Sequence, residues 1–242
     1  MTAALTEDRL LGGRVTLTQP AKGYRAGIEP VLLAAAVEAP RDARVVDLGS
    51  GVGAAGLSLL ARRPDLSILA IESDPETAAL ARANAARNGV ADRFTLLEQD
   101  VRDLRAPPVR FAAVISNPPF HDAPATDASP IASKARATVE ADLAGWVNAA
   151  GRLLAPHGTL TLIYRADRLE ALLAALAPRF GAIAILPLWP RPGRPAKRII
   201  LRAVLGSRAA LTLHAGLVLH GEGNLYTQAV DAILRDAAPL TF

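Results

Sequence analysis

The sequence predicts an α/β protein whose central sheet is mostly parallel and carries helices on both faces. Short apolar segments typical of strands alternate with helical segments from residue 44 to residue 177, the pattern of repeated β-α-β units. Two later strand-like segments have no helix between them, which predicts that the sheet ends in an antiparallel pair. The chain has 242 residues, 51% of them hydrophobic, so it can bury a core without disulfides or a structural metal.

The elements follow one another in a regular order. The segment Leu10–Thr18 predicts a hairpin that turns at a glycine pair, and a helix begins near Pro30 because proline suits the first helical position. Short apolar runs predict core strands at Arg44–Leu48, Ser67–Ile71, Phe94–Leu97, Phe111–Ser116 and Thr159–Tyr164, followed by the late pair Ala182–Leu188 and Arg198–Val204. Helices are predicted at Ala54–Arg63, Pro75–Asn88, Val139–Leu154, Leu169–Ala177 and Tyr226–Arg235.

Residues with special backbone preferences mark the helix ends. Pro64 ends the first core helix, Asp74 caps the second, and Gly89 stops it. We expect all 242 residues to form a single domain, with a hairpin and helix over 1–40, the core over 41–206 and a strand and helix extension over 207–242.

Composition excludes several classes of protein. The chain has no cysteine, so it has neither disulfides nor thiolate metal sites, and its four histidines lack the paired spacing of a helical zinc motif. We therefore expect no metal. The N-terminus lacks the apolar stretch of a signal peptide, and no apolar run is long enough for a membrane span, so a cytoplasmic protein is expected.

Positive charge is concentrated in the last third of the chain. The formal net charge is +4, and between Arg165 and Arg208 nine basic residues accompany only two acids. Guanidinium groups bind phosphate through paired hydrogen bonds, so this stretch suits an anionic partner. An ordinary solvated face would have the same composition, and charge alone leaves both interpretations open.

A glycine-rich turn follows the first core strand. Asp47 is followed by Gly49, Ser50, Gly51 and Gly53, and glycines at this point let the backbone bend sharply and approach a ligand closely. An acid before the glycines would repel a pyrophosphate, so the turn favours a ligand with a cationic end over a dinucleotide. A tight turn without any ligand is the alternative.

Acids at the next two strand ends extend this site. Glu72, followed by Ser73, can accept hydrogen bonds from both hydroxyls of a ribose, whereas Asp74 fits the role of a helix cap better. Asp100 could accept from an adenine amino group, with Val101 offering an apolar face and a backbone amide, although a solvated turn has the same residues. The three strand ends together predict a ligand with a ribose, an adenine and a positive charge.

The tetrapeptide Asn117-Pro118-Pro119-Phe120 ends the fourth core strand. The side-chain oxygen of Asn117 and the carbonyl of Pro118 can both accept from one NH2 group, which aims the nitrogen lone pair at a methyl donor. Two prolines stiffen the loop, and Phe120 offers a stacking face for a flat substrate. A rigid turn with Phe120 in the core is the alternative.

In this order, the glycine turn, Glu72, Asp100 and Asn117–Phe120 resemble the class I S-adenosylmethionine-dependent methyltransferases, over about Val45–Val204. The resemblance implies a Rossmann-like, seven-stranded sheet with its last strand antiparallel. It also implies S-adenosylmethionine as cofactor and methylation of a planar amino or amide nitrogen, namely adenine N6, guanine N2 or glutamine N5.

The segment Gln19–Leu33 resembles the opening segment of the TrmN-type tRNA adenine-N6 methyltransferases, where it helps close the cofactor pocket. Glu29 stands where those proteins commonly have Asp. The resemblance implies tRNA as the partner, and we expect phosphate contacts from the basic, proline-rich loop, namely from Arg191, Arg194, Lys197 and Arg198.

Other functions share parts of this pattern. Ribosomal RNA guanine-N2 methyltransferases have the same tetrapeptide, but they are usually longer, with a second methyltransferase-like domain. Glutamine-N5 methyltransferases of release factors have a related motif and a separate helical domain, and they need no basic surface. An RNA-binding module without catalysis is the non-enzyme alternative, and the intact Asn117 argues against it.

Overall fold

The computed structural model describes residues 4–22, 25–118 and 143–242. A separate antiparallel hairpin is formed by β1 (Leu5–Leu10) and β2 (Val15–Pro20). The main sheet contains β3 (Arg44–Leu48), β4 (Ser67–Glu72), β5 (Phe94–Glu98), β6 (Phe111–Ser116), β7 (Leu154–Arg165), β8 (Phe180–Trp189), β9 (Arg198–Leu205), β10 (Thr212–Leu213) and β11 (Leu217–Val218). The helices are α1 (Glu29–Ala35), α2 (Ala54–Arg62), α3 (Pro75–Arg87), α4 (143–153), α5 (Leu169–Leu176) and α6 (Gln228–Arg235).

The main sheet is mixed and confirms the predicted fold class. Seven long strands run in the order β5-β4-β3-β6-β7-β9-β8, and the two-residue strands β10 and β11 both pair with β8. Strands β3 to β7 are parallel, whereas β9 is antiparallel to both of its neighbours. The late strands pair as predicted, because the series of long strands ends in the antiparallel pair β9-β8. The last long strand in chain order, β9, is the antiparallel one, and it lies between β7 and β8.

Most element boundaries lie within two residues of the prediction. The main differences are the hairpin, which spans Leu5–Pro20 instead of Leu10–Thr18, and β7. This strand begins at Leu154 instead of Thr159 and passes through Pro156, His157 and Gly158, which lie between the predicted helix and the predicted strand. His157 has φ +63°, and the register against β6 shifts between Phe111 and Ala113. The strand therefore absorbs this segment as an irregularity. Residues 139–142 of the predicted helix lie outside the described residues.

Helices cover the main sheet on both faces, and each face has its own core. Val45 of β3 belongs to the cluster that also includes Leu33 of α1 and Leu57 of α2. Its neighbour Val46 points the other way and packs in the cluster that contains Leu172 of α5. This alternation is the consequence of the two-residue period of a strand buried on both sides.

The N-terminal hairpin is attached to α3 by two asparagine side chains. Asn84 Oδ1 accepts from Thr18 N–H at 2.8 Å, and Asn84 Nδ2 donates to the Thr18 carbonyl at 2.9 Å. Asn88 makes the same pair of bonds to Thr16, at 2.9 and 2.7 Å. Each amide therefore pairs with β2 as a neighbouring strand would, and this brings the end of the hairpin beside the sheet.

Among the described residues, no helix combines the length and the apolar character that crossing a bilayer would need.

Because β3, β4, β6, β7 and β8 all point the same way, their carboxyl ends lie along one edge of the sheet. Open α/β sheets bind their ligands at this edge. We call it the carboxyl edge.

Candidate functional site

A cavity of about 250 Å³ opens at the carboxyl edge, between the glycine turn and the N-terminal segment. Five of the predicted cofactor residues line it: Asp47, Gly49, Ser50, Gly51 and Asn117. The structure therefore brings together residues that are 70 positions apart in the chain. The lining also includes Gln19, Pro20, Lys22 and Pro30, which belong to the segment expected to help close the cofactor pocket, and Thr77, for which no role is predicted.

The glycine turn needs its glycines for two different reasons. Gly49, Gly51 and Gly53 have φ of +70°, +54° and +89°, in the left-handed region that other residues rarely adopt. A Cβ added to Gly49 would come within 2.5 Å of the Trp146 ring, whereas one added to Gly51 would meet nothing within 4 Å. Gly49 is therefore packed against the protein, while the backbone at Gly51 is open to a ligand.

Asp47 is a buried acid on the wall of the cavity, with 1% of its surface exposed. Burial raises its pKa to about 7, a hydrogen bond from Gly56 N–H at 2.9 Å lowers it, and the charge of Glu72 raises it. A Cβ at Gly56 would lie 3.0 Å from the Asp47 carboxylate oxygen, so glycine allows this approach. A cation in the cavity would favour the charged form of this carboxylate.

Backbone amides fix Glu72 next to the glycine turn. Its Oε2 accepts from Gly51 N–H at 2.9 Å, and its Oε1 accepts from Ser73 and Asp74 N–H at 2.8 and 2.9 Å. Glu72 is not among the residues that line the cavity, but it contacts one that is. Asp74 accepts from Thr77 N–H at 2.8 Å and caps α3, as predicted.

The end of β5 lies further from the cavity than the sequence suggests. Gln99 N–H donates to the Glu72 carbonyl at 2.9 Å, which joins the ends of β4 and β5. Asp100 is paired with Arg102 at 2.6 Å, and this partner lowers its pKa to about 2. Val101 is buried in the second core. Neither lines the cavity, so the adenine contact at Asp100 stays a prediction.

Asn117 follows directly after β6 and lines the cavity, with Pro118 beside it. The preceding residue, Ser116, is fully buried; its hydroxyl donates to the Leu48 carbonyl at 2.7 Å and accepts from Trp146 Nε1 at 2.8 Å. These bonds tie β6 to β3 and α4 immediately before Asn117. The predicted Pro119 and Phe120 lie outside the described residues.

The N-terminal segment forms another wall of the cavity. Gln19 is buried; its Oε1 accepts from Ala26 N–H at 2.8 Å, and its Nε2 donates to Asp8 at 2.9 Å. The first bond joins Gln19 to Ala26, and the second joins Gln19 to β1. Lys22, in the loop after β2, contributes an exposed cation to the cavity lining. Gln19 and Lys22 both belong to the segment Gln19–Leu33, which the family resemblance implies helps close the cofactor pocket.

Three of the predicted phosphate-binding residues lie in the loop between β8 and β9, at the carboxyl edge, and the fourth, Arg198, is the first residue of β9. Arg194 and Lys197 are exposed, as is Arg191, which donates to the Asn224 side chain. Arg198 differs from them, since it is half-buried and paired with Glu29 of α1 at 2.7 Å. The phosphate contact predicted for Arg198 stays a prediction. The pair joins the start of β9 to α1 through the glutamate at position 29.

The part of the chain that the structure describes contains no group of three or more histidine, aspartate or glutamate side chains that could hold a metal ion.

Comparisons with known proteins agree on the family. The sequence matches the methyltransferase small domain over residues 29–186. It is 31% identical over 205 residues to a tRNA1(Val) (adenine(37)-N6)-methyltransferase of Aeromonas hydrophila, covering 84% of this chain and 85% of that protein.

Two solved structures resemble the fold. A predicted O-methyltransferase from Agrobacterium tumefaciens superimposes with a TM-score of 0.74 at 30% identity, covering 88% of this chain and 99% of that one. The 16S rRNA N2 methyltransferase RsmC from Thermus thermophilus gives a TM-score of 0.58 at 21% identity, covering 84% of this chain and 50% of that one. The second likeness concerns the fold alone.

Proposed function

This chain belongs to the methyltransferase small domain family, and we propose that it methylates N6 of an adenine in a tRNA, with S-adenosylmethionine as methyl donor. The observation that carries the proposal is the cavity in which Asn117, at the end of β6, lies with Asp47 and the glycine turn. The similarity to tRNA adenine-N6 methyltransferases over most of the chain supports the acceptor.

The cavity suits the proposed cofactor, which supplies an electrophilic methyl group on a positively charged sulfur. The buried Asp47 carboxylate favours a cationic ligand, and Lys22 offers a counter-charge to the carboxylate of the methionine end. The Ser50 hydroxyl is buried and has no hydrogen-bond partner among the described residues, so it is suited to a polar group of a ligand. Glu72, next to Gly51, would accept from the ribose hydroxyls.

Asn117 would act on the substrate nitrogen by positioning it. The exocyclic amine of adenine is a poor nucleophile because its lone pair is delocalised into the ring. If the Asn117 side-chain oxygen and the Pro118 carbonyl each accept one N–H, the nitrogen is held with its lone pair toward the methyl donor. A neutral amide is no strong base, so the proton leaves after the methyl group has transferred.

Basic residues of the β8–β9 loop would contact the RNA backbone. Arg191, Arg194 and Lys197 lie on the same edge of the sheet as the cavity, so one RNA could reach both. Arg198, the fourth predicted contact, lies at the start of β9 and is paired with Glu29.

The first test supplies labelled S-adenosylmethionine to the purified protein with total tRNA, ribosomal RNA and a protein extract as separate acceptors. We expect N6-methyladenosine in tRNA, identified by nucleoside mass spectrometry. Asn117→Ala should lower the rate by about 100-fold or more, the loss that follows removal of one preorganised polar group in an active site. Asn148→Ala, an exposed position on α4, serves as the matched control and should retain full activity.

Other products would contradict the proposal. N2-methylguanosine in ribosomal RNA, or label only in protein, would move the acceptor to another substrate class. A 2′-O-methylated nucleoside would place this chain with the predicted O-methyltransferase that it resembles in structure. Unchanged turnover of Asn117→Ala would remove Asn117 from the mechanism.

A further inference from the structure

A short loop after β11 packs against the beginning of the basic β8–β9 loop. Leu219 N–H donates to the Trp189 carbonyl at 2.7 Å, and His220 N–H donates to the Pro190 carbonyl at 3.2 Å. The Arg191 guanidinium also donates to the Asn224 side chain. Residues 219–227, which we call the C-terminal loop, therefore sit beside the predicted phosphate contacts.

Internal hydrogen bonds make the C-terminal loop rigid. Gly221 N–H donates to the Leu225 carbonyl at 2.9 Å, and Thr227 N–H donates to the Leu219 carbonyl at 3.0 Å. The turn between them passes through Gly223 and Asn224, whose φ values are +63° and +65°. A loop held in this way loses little conformational entropy when it binds a partner.

The loop presents aromatic and aliphatic surface to solvent. The rings of His220 and Tyr226 stack with centroids 4.8 Å apart and planes 24° apart. Tyr226 is 37% exposed, and Leu225 is 74% exposed. The loop also contains one acid, Glu222. The exposed Tyr226 ring belongs to a loop that contacts Arg191 of the basic β8–β9 loop. A stacking face next to phosphate-binding cations is the combination that proteins use for single-stranded nucleic acid.

We propose that Tyr226, stacked on His220, together with Leu225 forms a platform for an unpaired base of the RNA substrate. The proposal rests on the proposed function, since the RNA is the one that brings its target adenine to Asn117. The loop follows β11, which pairs with the outer side of β8 and so lies four strands from β6, about 19 Å at the usual strand spacing. The platform would therefore hold a different nucleotide of the same RNA, not the target itself. A duplex would not fit, because its base faces are stacked and covered.

The test measures binding of an RNA hairpin with an unpaired loop and of a fully paired duplex of the same length. We expect Tyr226→Ala to weaken hairpin binding by roughly 5- to 150-fold, the range for loss of one base–aromatic stack. Tyr226→Phe should stay within about twofold because it keeps the ring. Because no charge is removed, the slope of log K against log salt should not change in Tyr226→Ala. Duplex binding should also be unaffected.

Leu225→Ser is a second variant that cannot disturb the core, and it should weaken hairpin binding. Val109→Ser is its matched control, since Val109 is equally exposed, at 73%, and lies near the opposite edge of the sheet. Thermal melting checks that each variant is folded. Equal loss of hairpin and duplex binding in Tyr226→Ala, or no loss of either, would overturn the platform.

The two proposals can fail separately. If the protein methylates tRNA but binds the hairpin equally well without Tyr226, the platform is wrong and the proposed function stands. If Tyr226→Ala loses hairpin binding but no N6-methyladenosine forms in tRNA, the platform stands and the proposed function is wrong.

Discussion

Asp47 is a carboxyl group that folding buries and that a ligand would need charged. In the unfolded chain its pKa is near 3.8, whereas in the folded protein burial raises the pKa to about 7. The folded state therefore binds more protons than the unfolded state between these values. Below pH 3.8 Asp47 is protonated in both states and does not lower the free energy of unfolding. As the pH rises from 3.8 toward 7, its ionisation increasingly favours the unfolded chain, so the folded protein loses stability. Such a cost at a ligand-facing position is typical of residues kept for function.

Because the pKa of Asp47 is raised in the folded protein, we predict that Asp47→Asn stabilises the protein at alkaline pH. Asparagine can still accept from Gly56 N–H but carries no charge, so at pH 8 the variant should be more stable by on the order of 4 kcal/mol, from 1.36 kcal/mol per pKa unit. The advantage should shrink toward pH 5. Urea denaturation at the two pH values measures it, and cofactor affinity should fall in the same variant.

Asp65 is the control, because its pKa is shifted in the opposite direction. Arg63 lowers the pKa of Asp65 to about 2, so the stability that the charged carboxylate adds to the fold is lost only as the pH falls from 3.8 through 2. Asp65→Asn should therefore change stability by the same amount at pH 5 and pH 8. If Asp47→Asn behaves in this way too, Asp47 is ionised throughout the range and our assignment of its pKa is wrong.

Between elements, the contact of α3 with the N-terminal hairpin also reaches the glycine turn. Asn84 is fully buried, and besides its two bonds to Thr18 it donates to the Val52 carbonyl at 3.0 Å. Asn88, one turn later, holds Thr16 in the same way but bonds to the Asn84 carbonyl instead of the turn. One side chain thus links the hairpin, α3 and the turn that lines the cavity.

We expect Asn84→Ala to cost about 2–4 kcal/mol of stability, because it leaves buried groups of Thr18 and Val52 without a partner. It should also weaken cofactor binding, since both the turn and the segment after β2 lose their support. Asn88→Ala is the matched variant; it should destabilise the hairpin while leaving cofactor affinity nearly unchanged. Calorimetric titration with S-adenosylhomocysteine measures the affinity, and equal losses in the two variants would contradict the link.

At the scale of the secondary-structure elements, the sequence predicts strands and helices well but not the contacts between them. Buried parallel strands are apolar runs with clear ends, so β3 and β6 match their predicted bounds. The first part of β7 contains Pro156 and Gly158, whose local preferences suggest a turn, and tertiary pairing overrides them. Asn84 and Asn88 look like ordinary polar residues of a helix, and only the folded hairpin shows what they bind.

At the scale of the whole molecule, the carboxyl edge explains which site residues the sequence could predict. Asp47, Glu72 and Asn117 each end a parallel strand, and parallel strands bring their ends together whatever their separation in sequence. Lys22, Gln19 and Trp146 reach the site through a loop and a helix whose placement depends on tertiary packing. No strand-end rule applies to them. Gln19 and Lys22 are expected near the pocket only from the family resemblance of the segment Gln19–Leu33, and nothing in the sequence indicates Trp146.

The cavity and the basic β8–β9 loop lie along the same edge of the sheet. Reversing the charge of the loop should therefore weaken RNA binding without changing cofactor binding. In the double variant Arg194→Glu and Lys197→Glu, we expect weaker tRNA binding and a smaller slope of log K against log salt, by about 1 for each phosphate that the variant no longer binds. Cofactor affinity should be unchanged, because neither residue lines the cavity.

The control for this double variant is Arg41→Glu, an exposed position before β3 and thus at the opposite edge of the sheet. An equal effect of Arg41→Glu would mean that net charge, and not this loop, attracts the RNA. An unchanged slope in the double variant would mean that the RNA enters the carboxyl edge without crossing the basic loop.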